Sequence, residues 1–264
     1  MNNEPTRIKL TVAYDGTNYH GWQFQPNAKT IEGELKRAIT ELLNEEVTII
    51  GASRTDTGVH ALCNISVFST TTPIPAEKLA FALNQRLPGD IRIQKSEAVD
   101  ADFHPRRVES RKTYQYRIWN ANIPLPTKRL YHHFVHQKLD VDKMQTAASY
   151  LIGEHDFASF CTASPKKSGE SDEQPKSTVR TIFSARVKCD SEMPPREISI
   201  TLTGNGFLYN MVRIITGTLI DVGAGRHQPE WVLEIMAAKD RTKAGPTAPP
   251  QGLTLMKYEY PPFE

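Results

Sequence analysis

The chain has 264 residues, of which 39% are hydrophobic and 23% charged, and its formal net charge is +2 at pH 7. These values are typical of a water-soluble protein with one large domain or two smaller ones. No apolar run reaches the roughly 20 residues that a membrane-spanning helix needs, and residues 1–7 lack the apolar segment of a secretory signal. We therefore expect a cytoplasmic protein that does not enter the membrane. The mild positive charge permits nucleic-acid binding without indicating it.

The sequence contains no pattern that predicts a metal or a nucleotide cofactor. Its three cysteines have neither metal-type nor C-x-x-C spacing. His132 and His133, with His136 nearby, have no Cys or carboxylate partner at ligand spacing, and a strand would place the first two on opposite faces. No G-x-G-x-x-G or Walker-type loop is present. We expect neither metal nor cofactor.

The first half of the chain predicts six elements in the order β-α-β-β-α-β. Alternation of apolar and polar residues indicates strands, and apolar residues at helical spacing after a Thr30 N-cap indicate the first helix. The predicted elements are strand 8–14, helix 30–44, strand 47–50, strand 65–68, helix 75–85 and a strand from Ile91. A glycine-, aromatic- and amide-rich loop, residues 15–26, follows the first strand; it predicts either contacts to bases or a packed hairpin.

The second half repeats this order of elements. It predicts strand 113–119, helix 141–152, strands 178–188 and 197–203, helices 210–222 and 231–239, and strand 253–260. Residues 164–177 are rich in Pro, Lys, Ser and Glu and predict a mobile surface insertion. We therefore predict an α+β fold of two ferredoxin-like halves, 1–110 and 111–264, whose antiparallel sheets form a central cleft.

A single carboxylate, Asp56, lies in a loop between two predicted strands. Arg54, two threonines and a glycine flank it within residues 51–61. One interpretation is a connection in which the aspartate satisfies its own turn, and composition alone favours that interpretation. The other is a functional loop on a rigid scaffold.

One arginine has an unusual position for its charge. Arg213 lies in the first turn of the helix that begins near Asn210, where the helix dipole disfavours a cation. It also faces away from the apolar stripe of that helix. It either extends into water or meets an anion, which would be a carboxylate or an RNA phosphate.

Residues 51–61, G-A-S-R-T-D-T-G-V-H-A, closely resemble the catalytic motif of the TruA-type tRNA pseudouridine synthases. Five further blocks resemble that family in the same order along the chain. They are residues 14–23, the F-x-x-R…Y-x-Y pattern of 103–116, G-E-H-D-F-A-S-F with R-T-I at 153–182, the block 204–225, and A-G-P-T-A-P-P-Q-G-L at 244–253. The resemblance covers nearly the whole chain.

The resemblance implies isomerisation of uridine to pseudouridine at positions 38, 39 and 40 of the tRNA anticodon stem-loop. It further implies a homodimer that uses neither cofactor nor metal. By the same resemblance, Asp56 is the catalytic carboxylate and Arg213 its ion-pair partner. Tyr114 is expected to stack on the uracil, Leu253 to close the pocket, and Arg54 to displace and hold the RNA.

Basic residues in loops and connections are candidates for contacts with the tRNA. We expect about half of them, at most, to contact phosphates. The candidates chosen for RNA binding are Arg106, Arg107, Arg111, Lys112, Arg226 and Arg241. Lys128, Arg129, Lys166, Lys167, Lys239 and Lys243 occupy similar positions.

Two alternatives to a tRNA-modifying enzyme follow from the residues. Asp56-Thr57-Gly58 is also the triplet of aspartic proteases, but that chemistry needs two carboxylates sharing a proton, so a single triplet would require a dimer. A non-catalytic tRNA-binding protein of the same fold would bind tRNA whether or not Asp56 is present.

Overall fold

The computed structural model describes residues 4–162 and 177–263. Its strands are β1 (Thr6–Tyr14), β2 (Ile50–Gly51), β3 (His60–Thr70), β4 (Ile91–Val99), β5 (Arg111–Asn120), β6 (His133–Val135), β7 (Gly153–Asp156), β8 (Val179–Cys189), β9 (Arg196–Gly204) and β10 (Leu253–Glu259). Its α-helices are α1 (Ile31–Leu43), α2 (Leu79–Asn84), α3 (Val141–Ser149), α4 (Met211–Gly223) and α5 (Trp231–Ala238). The α+β prediction is confirmed. The insertion predicted at 164–177 lies, except for Ser177, outside the described residues.

The chain forms two compact units. The first consists of Met1–Ser110 together with Thr254–Glu264, and the second of Arg111–Leu253. The sequence boundaries placed residues 254–264 in the second half, whereas the structure groups them with the first. The reason is a long-range pairing that no local pattern indicates.

This pairing joins β10 to the strand that follows the carboxylate. Thr254 and Leu255 pair in parallel with His60 and Ala61 of β3. Farther along, the hydroxyls of the last tyrosines, 258 and 260, both donate to the Pro105 carbonyl at 3.0 Å. The final segment is thereby held to the first unit at two places.

The sheet of the first unit has the strand order expected of a ferredoxin-like fold. β1 lies between β3 and β4 and is antiparallel to both. On its other edge, β3 pairs with β2 at Ser66 and Val67 and with β10 at its beginning. Because helices follow β1 and β3, the predicted β-α-β-β-α-β order of this half is confirmed.

Helix α1 follows the sequence prediction closely. The Thr30 side chain accepts the Gly33 N–H at 3.2 Å, which satisfies one of the free amides at the helix start. Leu35 and Ile39 are fully buried on the apolar face. The helix ends at Asn44, which has a left-handed φ of 54°.

Two predicted elements of the first unit are shorter than expected. Of the apolar run 47–50, only Ile50 joins a strand, because Val47 and Ile49 are buried without pairing to β3. The helix predicted at 75–85 begins as a 3₁₀ turn at Ala76–Lys78, and α2 occupies Leu79–Asn84. The strand at 47–50 is shorter than predicted because alternating apolar side chains can be buried without their backbone pairing to a neighbouring strand.

The strands of the second unit are hydrogen-bonded in the order β7-β8-β9-β5, and β6 also pairs with β5. All of these pairs are antiparallel except β5 with β6. Helix α3 packs on β8 and on α4, and a Cβ added to Gly223 would lie 2.7 Å from the Met144 sulfur, so the glycine permits this close approach. The long strands and helices of this half are confirmed, whereas β6 and β7 were not predicted. No helix in the described part of the chain is long and apolar enough to cross a membrane.

Candidate active site

The predicted catalytic carboxylate lies in a tight loop, residues 52–59, which we call the carboxylate loop. It begins after β2 and ends before His60, where β3 starts. Asp56 is half-buried and Arg54 is exposed. The Asp56 carbonyl accepts the Val59 N–H at 3.1 Å, and Gly58 takes a φ of 77° that favours glycine. The backbone therefore closes this turn.

A second loop, residues 15–29, packs directly against the carboxylate loop, and we call it the glycine loop. The Trp22 N–H donates to the Thr55 carbonyl at 3.0 Å. A Cβ added to Gly21, whose φ is 83°, would lie 2.6 Å from that carbonyl oxygen. A Cβ added to Gly16 would lie 2.0 Å from the Val59 carbonyl oxygen. These two glycines allow backbone to contact backbone on both sides of the carboxylate.

Gly21→Ala is expected to lower the rate of the uridine isomerisation that the resemblance implies more than it lowers tRNA affinity. The methyl group would be placed at a positive φ and against the Thr55 carbonyl, so the residue before Asp56 must shift. We expect a rate loss of about tenfold or more, since small displacements of reacting groups are costly. Single-turnover rates and binding constants for tRNA would measure it. Gly89→Ala is the control, because nothing lies within 4 Å of a Cβ there; equal rates in both variants would contradict the expectation.

A buried asparagine of β3 secures the start of the carboxylate loop. Asn64 is fully buried and donates to the Ser53 carbonyl at 2.9 Å and to the Tyr14 hydroxyl at 3.1 Å. Its carbonyl oxygen accepts the N–H groups of Ser53 and Ile65. The Tyr14 hydroxyl lies 2.7 Å from the Thr55 hydroxyl. The residues on either side of Arg54 are thus tied to the sheet.

Asn64→Ala is expected to destabilise the protein by about 2–4 kcal/mol, because it leaves several buried donors and acceptors without partners. Chemical denaturation would measure the loss. Asn18→Ala removes the same side chain from an exposed position, and we expect it to have little effect. A change below about 0.5 kcal/mol in the Asn64 variant would contradict this account.

A histidine that the sequence analysis did not single out links the two loops. His60 is buried, and its Nδ1 lies 3.1 Å from the Gly16 nitrogen and 3.1 Å from an Asp15 carboxylate oxygen. A neutral Nδ1 accepts the Gly16 N–H, whereas a protonated ring can donate to Asp15. The only sequence indication was its place at the end of the motif.

In the second unit, Arg213 does not extend into water. It is half-buried; its Nε donates to the Ala248 carbonyl at 2.8 Å, and its Nη1 donates to the Asn210 side-chain oxygen at 2.9 Å. The Ala248 N–H in turn donates to the Arg213 carbonyl at 3.1 Å. The guanidinium is therefore held in a fixed orientation by its own helix start and by the loop that precedes β10.

The predicted pocket residues Tyr114 and Leu253 are both buried in this unit. The Tyr114 ring meets Phe207 edge-to-face, with 5.3 Å between centroids. Leu253 follows Gly252, which packs so closely on the Tyr116 ring that a Cβ would lie 2.7 Å from it.

Tyr116 connects this packing to the predicted arginine. Its hydroxyl donates to the Pro249 carbonyl at 2.7 Å. Burial raises the pKa of Tyr116, and the positive charge of Arg213 opposes that rise. Within the second unit, the structure thus brings the segment before Leu253 close to Arg213.

The candidate RNA-binding residues differ in their exposure and in their contacts within the protein. Arg106 and Arg107 are exposed in the first unit. Arg111 and Lys112 are half-buried in β5, and the guanidinium of Arg111 lies 4.9 Å from the Phe183 ring centre.

Arg226 and Arg241 have partners within the second unit. Arg226 donates to the Asp221 carboxylate and to the Gln137 side chain. Arg241 donates to the Thr247 hydroxyl at 3.1 Å. Contact of these residues with RNA stays a prediction.

His132, one of the clustered histidines, contacts a carboxylate. His132 is buried, and its Nε2 lies 2.8 Å from a Glu197 carboxylate oxygen that Lys128 also contacts at 2.7 Å. In residues 4–162 and 177–263, no group of three or more His, Cys, Asp or Glu residues is placed to hold a metal ion.

Comparison with known proteins gives the family. The model of the tRNA pseudouridine synthase family matches residues 10–106 and 147–261, a span that includes the carboxylate loop. The chain belongs to the tRNA pseudouridine synthase family. This confirms the resemblance and the prediction of an enzyme that acts on tRNA, and it excludes the aspartic protease.

Relatives of this synthase match over almost their whole length. tRNA pseudouridine synthase A of Thermoanaerobacter sp. (strain X514) is 49% identical over 253 residues, covering 96% of this chain and 99% of the relative. The same coverage is found for tRNA pseudouridine synthase A of Caldicellulosiruptor bescii at 47% identity and of Acetivibrio thermocellus at 45%. Among solved structures, a Cbf5-Nop10-Gar1 complex aligns at 12% identity with a TM-score of 0.31, covering 94% of this chain and 57% of that chain.

Proposed function

We propose that this pseudouridine synthase isomerises uridine at positions 38, 39 and 40 of the tRNA anticodon stem-loop, with Asp56 as the catalytic carboxylate. The observation that carries the proposal is the carboxylate loop, which two close glycine contacts and the Asn64 network hold in one conformation. Preorganisation of this kind is what a reacting group needs. The near full-length similarity to proteins named tRNA pseudouridine synthase A supports the choice of substrate.

The reaction explains why one carboxylate is needed. The bond between uracil N1 and C1′ of the ribose breaks, the base rotates, and a bond forms between C5 and C1′, while C5 loses a proton and N1 gains one. A base in a stem must first leave the helix stack to reach a protein pocket. Asp56 would act as nucleophile, as base, or as both in turn.

The second unit would supply the pocket and the counter-charge. Arg213 is proposed as the ion-pair partner of Asp56, because a neighbouring cation favours the charged carboxylate and the Arg213 guanidinium is already oriented by Asn210 and Ala248. Tyr114 would stack on the uracil and Leu253 would close the pocket. Arg54, which is exposed on the carboxylate loop, would displace and hold the RNA.

The wider assembly belongs to the same proposal. We place the enzyme in the cytoplasm as a homodimer that works without metal or cofactor. The exposed Arg106 and Arg107 would contact tRNA phosphates, and a dimer would double the number of such contacts along one tRNA.

The test is to incubate the purified protein with unmodified tRNA and map pseudouridine along the anticodon arm by chemical labelling and primer extension. We expect modification at positions 38, 39 and 40 and none in a tRNA that carries cytidine there. Binding without modification would favour the non-catalytic tRNA-binding protein, and modification only in another arm would overturn the proposed site.

A further inference from the structure

A second arginine of the second unit, Arg180, has no role in the reaction described above. Arg180 lies in β8, opposite His155 of β7. It is half-buried, and its Nη1 donates to the backbone carbonyls of Ser177 and Val179 at 2.8 and 2.6 Å. Both bonds use the same nitrogen of the guanidinium fork.

No carboxylate among residues 4–162 and 177–263 forms an ion pair with Arg180. This differs from Lys239, which meets Asp156 at 3.0 Å, and from Arg226, which meets Asp221. Burial lowers the pKa of Arg180, and an electrostatic interaction with the Cys161 thiol opposes that shift. A guanidinium that is partly removed from water gains most from an anion that arrives with two oxygens.

A segment that lies beside Arg180 also contacts a residue of the predicted uracil pocket. A Cβ added to Gly206 would lie 3.6 Å from the Arg180 Nε, so this glycine presents its open side to the guanidinium. The next residue, Phe207, meets Tyr114 edge-to-face at 5.3 Å. One short segment, residues 205–210, therefore has Arg180 beside it at Gly206 and the proposed stacking tyrosine beside it at Phe207.

The same segment ends at the residue that orients Arg213. The Asn210 side chain accepts from Arg213 and donates to the Thr162 hydroxyl at 3.2 Å. Thr162 follows Cys161, whose thiol interacts electrostatically with Arg180. Within one unit, Arg180 thus lies near residues 205–210 at Gly206, and Arg213 contacts the same segment at Asn210.

We propose that Arg180 binds the RNA backbone phosphate adjacent to the flipped uridine. This inference rests on the proposed function. Flipping a nucleotide rotates its backbone and brings the adjacent phosphate to the rim of the pocket that receives the base. The Nε and Nη2 edge of Arg180 would hold two phosphate oxygens in the bidentate geometry of arginine–phosphate pairs, while Tyr114 receives the uracil beyond Gly206.

The variants are Arg180→Ala and Arg180→Lys, with Arg186→Ala as the matched control. Arg186 is an exposed arginine of the same strand. We expect Arg180→Ala to weaken tRNA binding about tenfold and to reduce the slope of log affinity against log salt by about one unit. Arg180→Lys keeps the positive charge but loses the bidentate guanidinium. Its salt slope should therefore return closer to the wild-type value than its affinity does. Arg186→Ala should match the wild type in both.

A chemical change in the RNA provides a second, independent measurement. An anticodon stem-loop with one neutral methylphosphonate linkage beside the target uridine should bind the wild type more weakly. It should cause no further loss in Arg180→Ala, because the partner is already missing. An additive loss, or a salt slope in Arg180→Ala equal to that of Arg186→Ala, would overturn the inference.

The two proposals fail in different ways. If the wild-type protein forms no pseudouridine in unmodified tRNA, the proposed function is wrong. If the wild type forms pseudouridine and Arg180→Ala binds tRNA like Arg186→Ala, only the role of Arg180 is wrong. Melting temperatures of all variants show whether a weaker variant is still folded.

Discussion

Asp56→Asn is expected to reduce pseudouridine formation by a factor of about 10³ or more while tRNA affinity changes only a few-fold. The amide has the shape of the carboxylate but can neither attack a carbon nor take up a proton, and groups in these roles contribute about 10²–10⁴-fold each. Affinity should persist because binding to RNA depends mainly on phosphate contacts. The backbone turn is also preserved, since the Asp56 carbonyl closes it.

Tritium release from C5-labelled uridine in tRNA measures this rate, and a filter-binding assay measures affinity. Asp100→Asn makes the same change at an exposed position of the first unit and should leave both values unchanged. Turnover of the Asp56 variant within tenfold of wild type would remove Asp56 from the chemistry. A complete loss of binding would show a structural role instead.

Arg213→Ala should lower turnover by about a hundredfold or more, a loss typical of removing one preorganised charged donor from an active site. Two acceptors hold the Arg213 side chain in place before any substrate arrives. The guanidinium therefore needs little reorientation during the reaction. Arg213→Lys should lose nearly as much, because one ammonium cannot reproduce both bonds and still face a carboxylate.

Single-turnover kinetics separate the rate of this step from binding. Asn210→Ala removes one acceptor of the Arg213 guanidinium, and we expect a smaller loss that is not additive with Arg213→Ala in the double variant. If Arg213→Ala changed affinity alone, the residue would be an RNA contact and not the partner of the carboxylate.

Local chemistry determined which elements the sequence could predict. Helix α1 has a Thr30 cap, an apolar stripe and an Asn44 end, and each of these acts within a few residues. The run 47–50 also satisfies a local pattern, yet only Ile50 finds a strand partner. Pairing depends on the neighbouring strand, which the run itself does not encode.

The residues of the candidate site also differ in whether a local sequence pattern could predict them. Asp56 and its loop were recognisable as one continuous motif, and the family prediction that rests on this motif and five further blocks is confirmed. The bond from Arg213 to the Ala248 carbonyl joins residues far apart in the chain, and so does the contact of His60 with the glycine loop. Periodicity and capping cannot predict such contacts, because they are set by tertiary packing.

The pairing of Thr254 and Leu255 with His60 and Ala61 has a consequence for protein synthesis. β3 can pair with β1 and β2 early in synthesis, but its first residues, His60 and Ala61, gain their β10 partner only after residues 254 and 255 have been made. Contacts between such distant residues form slowly. A nascent chain that stalls before residue 254 will therefore carry the Asp56 motif with the start of β3 lacking its β10 partner.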